Sequence, residues 1–330
     1  MTTPVPVTHS LPDPQALLAG VLAGYDLGEF VDCRLWYAGV NDTYLARTAA
    51  GAQYILRLYR SRWRSPADVG YETDALNHLH QKGLAVAYPL PRRDGSCVHA
   101  LRAPEGDRLA VLFTFAEGKE PSYEADPADK SFRYGQAVAR IHQASDDFTS
   151  PYLRQPLDLD FLFFYPLKAM RPFLAHRPDD FAFFQAYAEK MVQRLTDWPA
   201  SALDQGFCHA DLQGYHAHIT DDGTLTFFDF DCCGRGFRAY DMAVFRWCAR
   251  LSEKEPIWWE PYLRGYREVR PLRDADVQAI PYFVAARYFW HIGLHTGNAY
   301  DWGYGWLNDG YFDRAIKNLK AVQADYGFEA

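Results

Sequence analysis

The sequence predicts an α+β fold in two parts: an N-terminal part of antiparallel strands with one helix, and a larger, mainly helical C-terminal part. Three observations carry this prediction. Alternating apolar residues gather in the first third of the chain, a 3.6-residue periodicity dominates beyond about residue 121, and one hairpin pattern between Phe207 and Asp231 interrupts the helical part. The change of composition at Ala116-Glu-Gly-Lys-Glu-Pro121 reads as a linker, so the expected division is 1–116 and 117–330.

Taken in order, Leu35 to Arg60 reads as two strands around a turn at Ala49-Ala50-Gly51. In the second of them, alternation places Arg57 on the same side as Ile55 and Tyr59, a charge in an otherwise apolar row. A charge so placed needs a partner. From Pro66 to Gly83 the pattern is helical, with Glu72, Leu76 and Leu79 stacked on one face. Glu72 is then either a helix-edge carboxylate in water or the partner of Arg57. Segments Cys97 to Leu101 and Arg108 to Phe115 read as further strands. Beyond the linker, Tyr134, Val138 and Ile141 mark one helix and Phe181 to Leu195 another. Pro281 to Gly293 marks a third, rich in aromatics and opening with the proline that a first turn tolerates.

Bulk properties narrow the class. A net charge of -8 offers no basic face to replace counterions along a phosphate backbone, which speaks against a nucleic-acid partner, and it is compatible with a cationic small-molecule substrate. Met1 to Ser10 lacks a basic end followed by an apolar run, and no window approaches the roughly 18 apolar residues of a spanning helix. Six cysteines without zinc spacing read as reduced thiols, so a cytoplasmic chain without a membrane partner is expected.

The hairpin concentrates the ionisable residues. Its turn is Thr220-Asp-Asp-Gly223, and antiparallel pairing about Gly223 brings His216 beside the end of the second strand, near Asp229. His209 and Asp211 sit in the loop just outside that end. Two carboxylates and a histidine can hold a cation; alternatively His209, His216 and His218 form a transition-metal site of a hydrolase. Asp231 reads either as a second metal ligand or as a hydrogen-bond acceptor within its loop. Further on, Trp258, Trp259, Tyr262, Tyr288, Trp290, Trp302 and Trp306 read mostly as core. Their faces, with Asp301, Asp309 and Asp313 nearby, suit an ammonium group.

His209-Ala-Asp211, His216 five residues beyond the aspartate, Phe228-Asp229, and Asp241 in Tyr240-Asp-Met-Ala243 together resemble the aminoglycoside phosphotransferase and choline kinase superfamily, over about residues 25 to 250. The resemblance implies a protein-kinase-like two-lobed fold, with 1–116 as nucleotide-binding lobe and 117–330 as catalytic and substrate-binding lobe. It implies an ATP-dependent phosphotransferase that moves the γ-phosphate to a hydroxyl of a small molecule: an amino alcohol, a homoserine-like metabolite or an aminoglycoside-like compound. Residue by residue, it makes Asp211 the base, His209 a shaper of its loop, and Asp229 with His216 the ligands of Mg2+. Arg57 would contact the nucleotide phosphates, steadied by Glu72. Gly39 and Asn41 would belong to the nucleotide loop, and the backbone of Thr114, Phe115 and Ala116 would receive adenine. Asp241 would bond the catalytic loop from behind. Such residues suit phosphoryl transfer, in which positioning and charge neutralisation supply most of the acceleration.

Two departures stand out. Relatives carry asparagine where this chain has His216, and imidazole suits Mn2+ better than Mg2+. Tyr215 replaces a residue that is commonly small. A weakened, nucleotide-binding pseudokinase and a bacterial stress-response-type protein kinase therefore stay open beside the small-molecule kinase.

Overall fold

The computed structural model describes residues 5–123, 125–199 and 201–328. They form two compact units, the first taking in the residues up to 120 with 147–154 and 217–231, the second taking in the rest.

In the first unit, helix α1 (Pro14–Gly20) precedes strands β1 (Phe30–Ala38), β2 (Asp42–Thr48) and β3 (Gln53–Leu58). The two strands expected from Leu35 to Arg60 are thus three. A tight turn divides β1 from β2, in which the Gly39 N–H donates to the Asn41 carbonyl at 3.0 Å. Helix α2 (Pro66–Gln81) begins on a capping box: Ser65 Oγ accepts the Asp68 N–H, and the Asp68 carboxylate accepts the Ser65 N–H. Strands β4 (His99–Ala103) and β5 (Gly106–Thr114) complete a five-stranded antiparallel sheet in the order β1-β2-β3-β5-β4. Alternation gives β3 two faces. Leu56 and Leu58 join Leu17, Leu22, Tyr44 and Leu112 in a buried core, leaving Ile55 and Arg57 on the other face.

The second unit carries α3 (Pro127–Ala144), α4 (Tyr165–Met170), α5 (Pro178–Thr196), α6 (Arg238–Leu251), α7 (Glu255–Val269), α8 (Asp274–Gly297), α9 (Ala299–Trp302) and α10 (Asp309–Asp325). Helices α3 and α7 cross where both lack side chains. A Cβ on Gly135 would stand 2.1 Å from the Tyr262 carbonyl oxygen, and one on Gly265 2.0 Å from that of Phe132. Helix α8 corrects an expectation: it starts seven residues before Pro281, which lies inside it. Asp274 and Asp276 favour the earlier start at the positive end of the helix, and buried Ala279, Ile280 and Phe283 carry the packing through the proline.

The single hairpin expected between Phe207 and Asp231 is also corrected. Among β6 (Gln205–Cys208), β7 (Ala217–Ile219), β8 (Leu225–Phe227) and β9 (Gly234–Phe237), β7 pairs with β8 in the first unit and β6 with β9 in the second. The turn at Thr220 to Gly223 is as expected, with the Gly223 N–H donating to the Thr220 carbonyl. Beyond β8, Asp229 adopts a φ of 66°, a left-handed conformation that turns the chain out of the extended path. Among the described residues no helix is long and apolar enough to cross a membrane.

Candidate active site

In the first unit, strand β3 and helix α2 bring Arg57 and Glu72 together. Arg57 Nη1 donates to Glu72 Oε1 at 2.9 Å, and Tyr59 Oη donates to Glu72 Oε2 at 2.8 Å. Glu72 is wholly buried, so it is the partner of Arg57 and not a solvated carboxylate. The other arm of the guanidinium, Nη2, lies 3.0 Å from Asp229 Oδ1, and the Phe113 ring sits 5.1 Å away. Burial acts against the charge on Arg57, but Asp229, Tyr59 and Glu72 outweigh it and hold the side chain protonated.

The remaining nucleotide-loop and linker residues already have local duties. Asn41 Nδ2 and Trp63 Nε1 both donate to Asp231 Oδ2, at 2.7 and 2.8 Å, so the buried Asp231 accepts from distant segments of its unit and not only within its loop. The Gly39 carbonyl accepts from Arg60 Nη2 at 2.9 Å. In the linker the Thr114 N–H donates to the Tyr88 carbonyl, and the Ala116 carbonyl accepts from His218 Nδ1. His218, edge-on to Phe115 and Phe228, is therefore a satisfied structural histidine.

In the second unit the loop after β6 is held by its backbone. Asp241, in the first turn of α6, accepts the His209 N–H at 2.8 Å on Oδ2 and the Ala210 N–H at 2.6 Å on Oδ1. Burial keeps His142 of α3 neutral; its Nε2–H donates to Asp241 at 3.0 Å and its Nδ1 accepts the Tyr266 hydroxyl at 2.8 Å. Asp241 thus has the backing role that the resemblance implied. His209 Nδ1 accepts the Asp211 N–H at 3.2 Å, which ties the buried ring to the loop.

Asp211 is ringed by donors. Gln213 Nε2 reaches Oδ1 at 2.6 Å, and Arg287 of α8 forms an ion pair with the same oxygen. Burial pushes the Asp211 carboxyl up, but Arg287, His216 and Gln213 outweigh it and hold it below the usual carboxylate range. The His216 Nδ1–H donates to the Asp211 carbonyl at 2.7 Å, since a carbonyl only accepts.

Arg287 escaped the sequence reading. It is fully buried, 5.0 Å from the Trp247 ring and 4.3 Å from that of Trp290. Its signal was available: a lone charge inside the apolar run from Ile280 to Gly293, the same kind of anomaly that singled out Arg57. Of the rings expected to suit an ammonium group, Trp290 faces the chain's own guanidinium. Of the acidic companions, Asp309 pairs with His176 and Arg177, and Asp313 with Arg177. Trp258 and Tyr262 pack with Tyr123 and Phe245 as core.

The three-histidine site is not formed. His218 is engaged by the linker, and among the described residues no group of three or more His, Cys, Asp or Glu side chains could hold a metal ion. Mg2+ commonly takes only one or two carboxylates from a protein and completes its shell with phosphates and water. Asp229, in the first unit, is a carboxylate of that kind, with 38% of its side chain exposed.

The model of the phosphotransferase enzyme family matches residues 39–275. An uncharacterized protein of Deinococcus radiodurans is 41% identical over 98% of this chain and 93% of its own length. A homoserine kinase of Rhodospirillum rubrum is 31% identical over 80% of this chain and 79% of its own. Among solved structures, an amicoumacin kinase in complex with AMP-PNP, Ca2+ and Ami superposes with a TM-score of 0.76 at 21% identity, covering 95% of this chain and 94% of that one. At that identity the likeness speaks for the fold, which is kinase-like: a five-stranded antiparallel sheet with its helix, followed by a mainly helical part.

Proposed function

The chain belongs to the phosphotransferase enzyme family of the aminoglycoside phosphotransferases and choline kinases, and on that premise we propose that it is an ATP-dependent kinase of a small-molecule hydroxyl. The observation that carries this reading is Asp211. Its carboxylate is kept ionised on a loop whose backbone is tied to buried Asp241, which suits a base that accepts the proton of an alcohol. In this reading residues 1–116 form the nucleotide-binding lobe and 117–330 the catalytic and substrate-binding lobe. Arg57, steadied by Glu72, neutralises nucleotide phosphates, and the backbone from Thr114 to Ala116 receives the base, with Phe115 at its centre. Gly39 and Asn41 shape the turn beside the phosphates.

Asp229 and His216 would hold a divalent cation, which neutralises phosphate charge when bound. The imidazole makes Mn2+ at least as effective as Mg2+ the expected result. Homoserine kinases among the relatives point to a hydroxyl-bearing amino acid or amino alcohol as the first acceptors to assay.

The decisive experiment measures phosphate transfer from ATP to homoserine, ethanolamine, choline and aminoglycosides, each with Mg2+ and with Mn2+. Asp211→Ala is expected to lower transfer by about 10²- to 10⁴-fold while sparing ATP affinity. Transfer that survives the substitution removes Asp211 from the role. A second reading, a nucleotide-binding pseudokinase, is favoured by the pairing of Asp229 with Arg57 and by His216 in place of asparagine. It predicts thermal stabilisation by ATP without transfer to any acceptor.

A further inference from the structure

The loop that carries Asp211 contains a residue in an unfavourable backbone conformation. Ala210 has a φ of 67°, a region that L side chains disfavour and that glycine occupies readily. Both peptide groups flanking it are pinned. The N–H on its amino side goes to Asp241 Oδ1 at 2.6 Å, and the carbonyl on its carboxyl side accepts from Arg287 Nη1 at 3.3 Å. With its other nitrogen, Nη2, the same guanidinium holds the carboxylate of the next residue, Asp211.

The guanidinium is itself immobilised. It is fully buried and lies near two aromatic rings, Trp247 of α6 and Trp290 of α8. A buried ion pair contributes little net stability compared with apolar residues of similar volume, so holding the chain together is a weak reason to place one here. A planar fork that reaches a backbone carbonyl and the adjoining carboxylate at once fixes a geometry, which a point charge does not.

The geometry points to Arg287 as a positioning residue for phosphoryl transfer: it clamps the Ala210 carbonyl and the Asp211 carboxylate so that Asp241 and Arg287 together hold the left-handed turn that presents the base. This inference rests on the reading of Asp211 as that base. Arg287 acts through the loop and not on a reactant. Its bonds are to the loop, and its surroundings are the rings of α6 and α8.

Arg287→Lys keeps the charge and loses the fork. The expected result is a fall in kcat of about 10²-fold, the size of effect that a small misplacement of a reacting group produces, with KM for ATP unchanged. Adding Ala210→Gly relieves the steric cost of the left-handed turn, so the double variant should recover part of the lost kcat. A merely structural role would lower thermal stability without this split and without the rescue. Wild-type kcat in Arg287→Lys, or a double variant no faster than the single one, overturns the proposal. Should Arg287→Lys fail to fold, Trp290→Leu removes one ring face and leaves the charge, and an unchanged kcat there overturns the proposal equally. Asp211→Asn separates the two claims, since transfer persisting in it defeats the base assignment itself, whatever Arg287 does.

Discussion

Arg108 in the first unit has its charge enclosed by acceptors. Nε donates to the Tyr59 carbonyl at 3.0 Å, Nη1 to that of Ser10 at 2.9 Å, and Nη2 to Asp42 Oδ2 at 2.6 Å and the Leu58 carbonyl at 3.0 Å. Neither Arg108 nor Asp42 exposes any side-chain surface. Asp42→Asn leaves the buried charge with Glu105 alone, 3.7 Å from Nη1, and should cost about 3 kcal/mol, the lower end for a broken buried pair, read as a lower denaturant midpoint at unchanged slope. Arg57 is paired by similar means, yet its second arm meets the partly exposed Asp229. Both arginines interrupt apolar strand patterns, but the pattern on β3 alone could not say whether Glu72 faced water or the strand.

At the scale of elements, the crossing of α3 and α7 depends on two glycines meeting backbone. Because the clash at Gly135 would be with the Tyr262 carbonyl and not with a side chain that can rotate away, Gly135→Ala should destabilise toward the upper end of the usual 1–3 kcal/mol for overpacking, about 3 kcal/mol. Gly20, which has open space where a Cβ would go, is the control, and Gly20→Ala should leave the melting temperature unchanged or slightly raised. The same crossing matters to the site, since α3 supplies His142 and α7 supplies Tyr266 to the bond chain that steadies Asp241. Helix α8 shows the limit of local signals, because its proline reads as a start and is an interior residue of a longer helix.

Within the second unit as a whole, Arg238 and Arg270 bind Asp146 and Asp204 in a network that joins distant segments of chain. Burial raises the Asp204 and Asp146 carboxyls, but the two arginines outweigh it and hold both below their usual value of 3.8. A depressed folded-state pKa adds stability that is fully present above the unfolded value and lost as pH falls through the folded one. Asp204→Asn should therefore melt below wild type at neutral pH. The gap should narrow as pH drops beneath about 4 and close below the depressed value, which thermal melts across that range would read. A gap independent of pH would mean that the carboxylate charge contributes nothing there.

The sequence by itself determined the two-part α+β order, the place of Arg57 in an apolar strand row, the turn at Gly223 and the spacing from His209 to Asp241 that marks a phosphotransferase. Each depends on periodicity or on short-range spacing, and local backbone geometry enforces both. The tertiary structure alone decided which groups meet across long stretches of chain. Asp231 is taken by Asn41, 190 residues away, and Asp211 by Arg287, 76 residues away. Periodicity tells a side chain which face it occupies; the identity of a buried partner follows from the packing of whole elements, where desolvation requires every enclosed charge to find one.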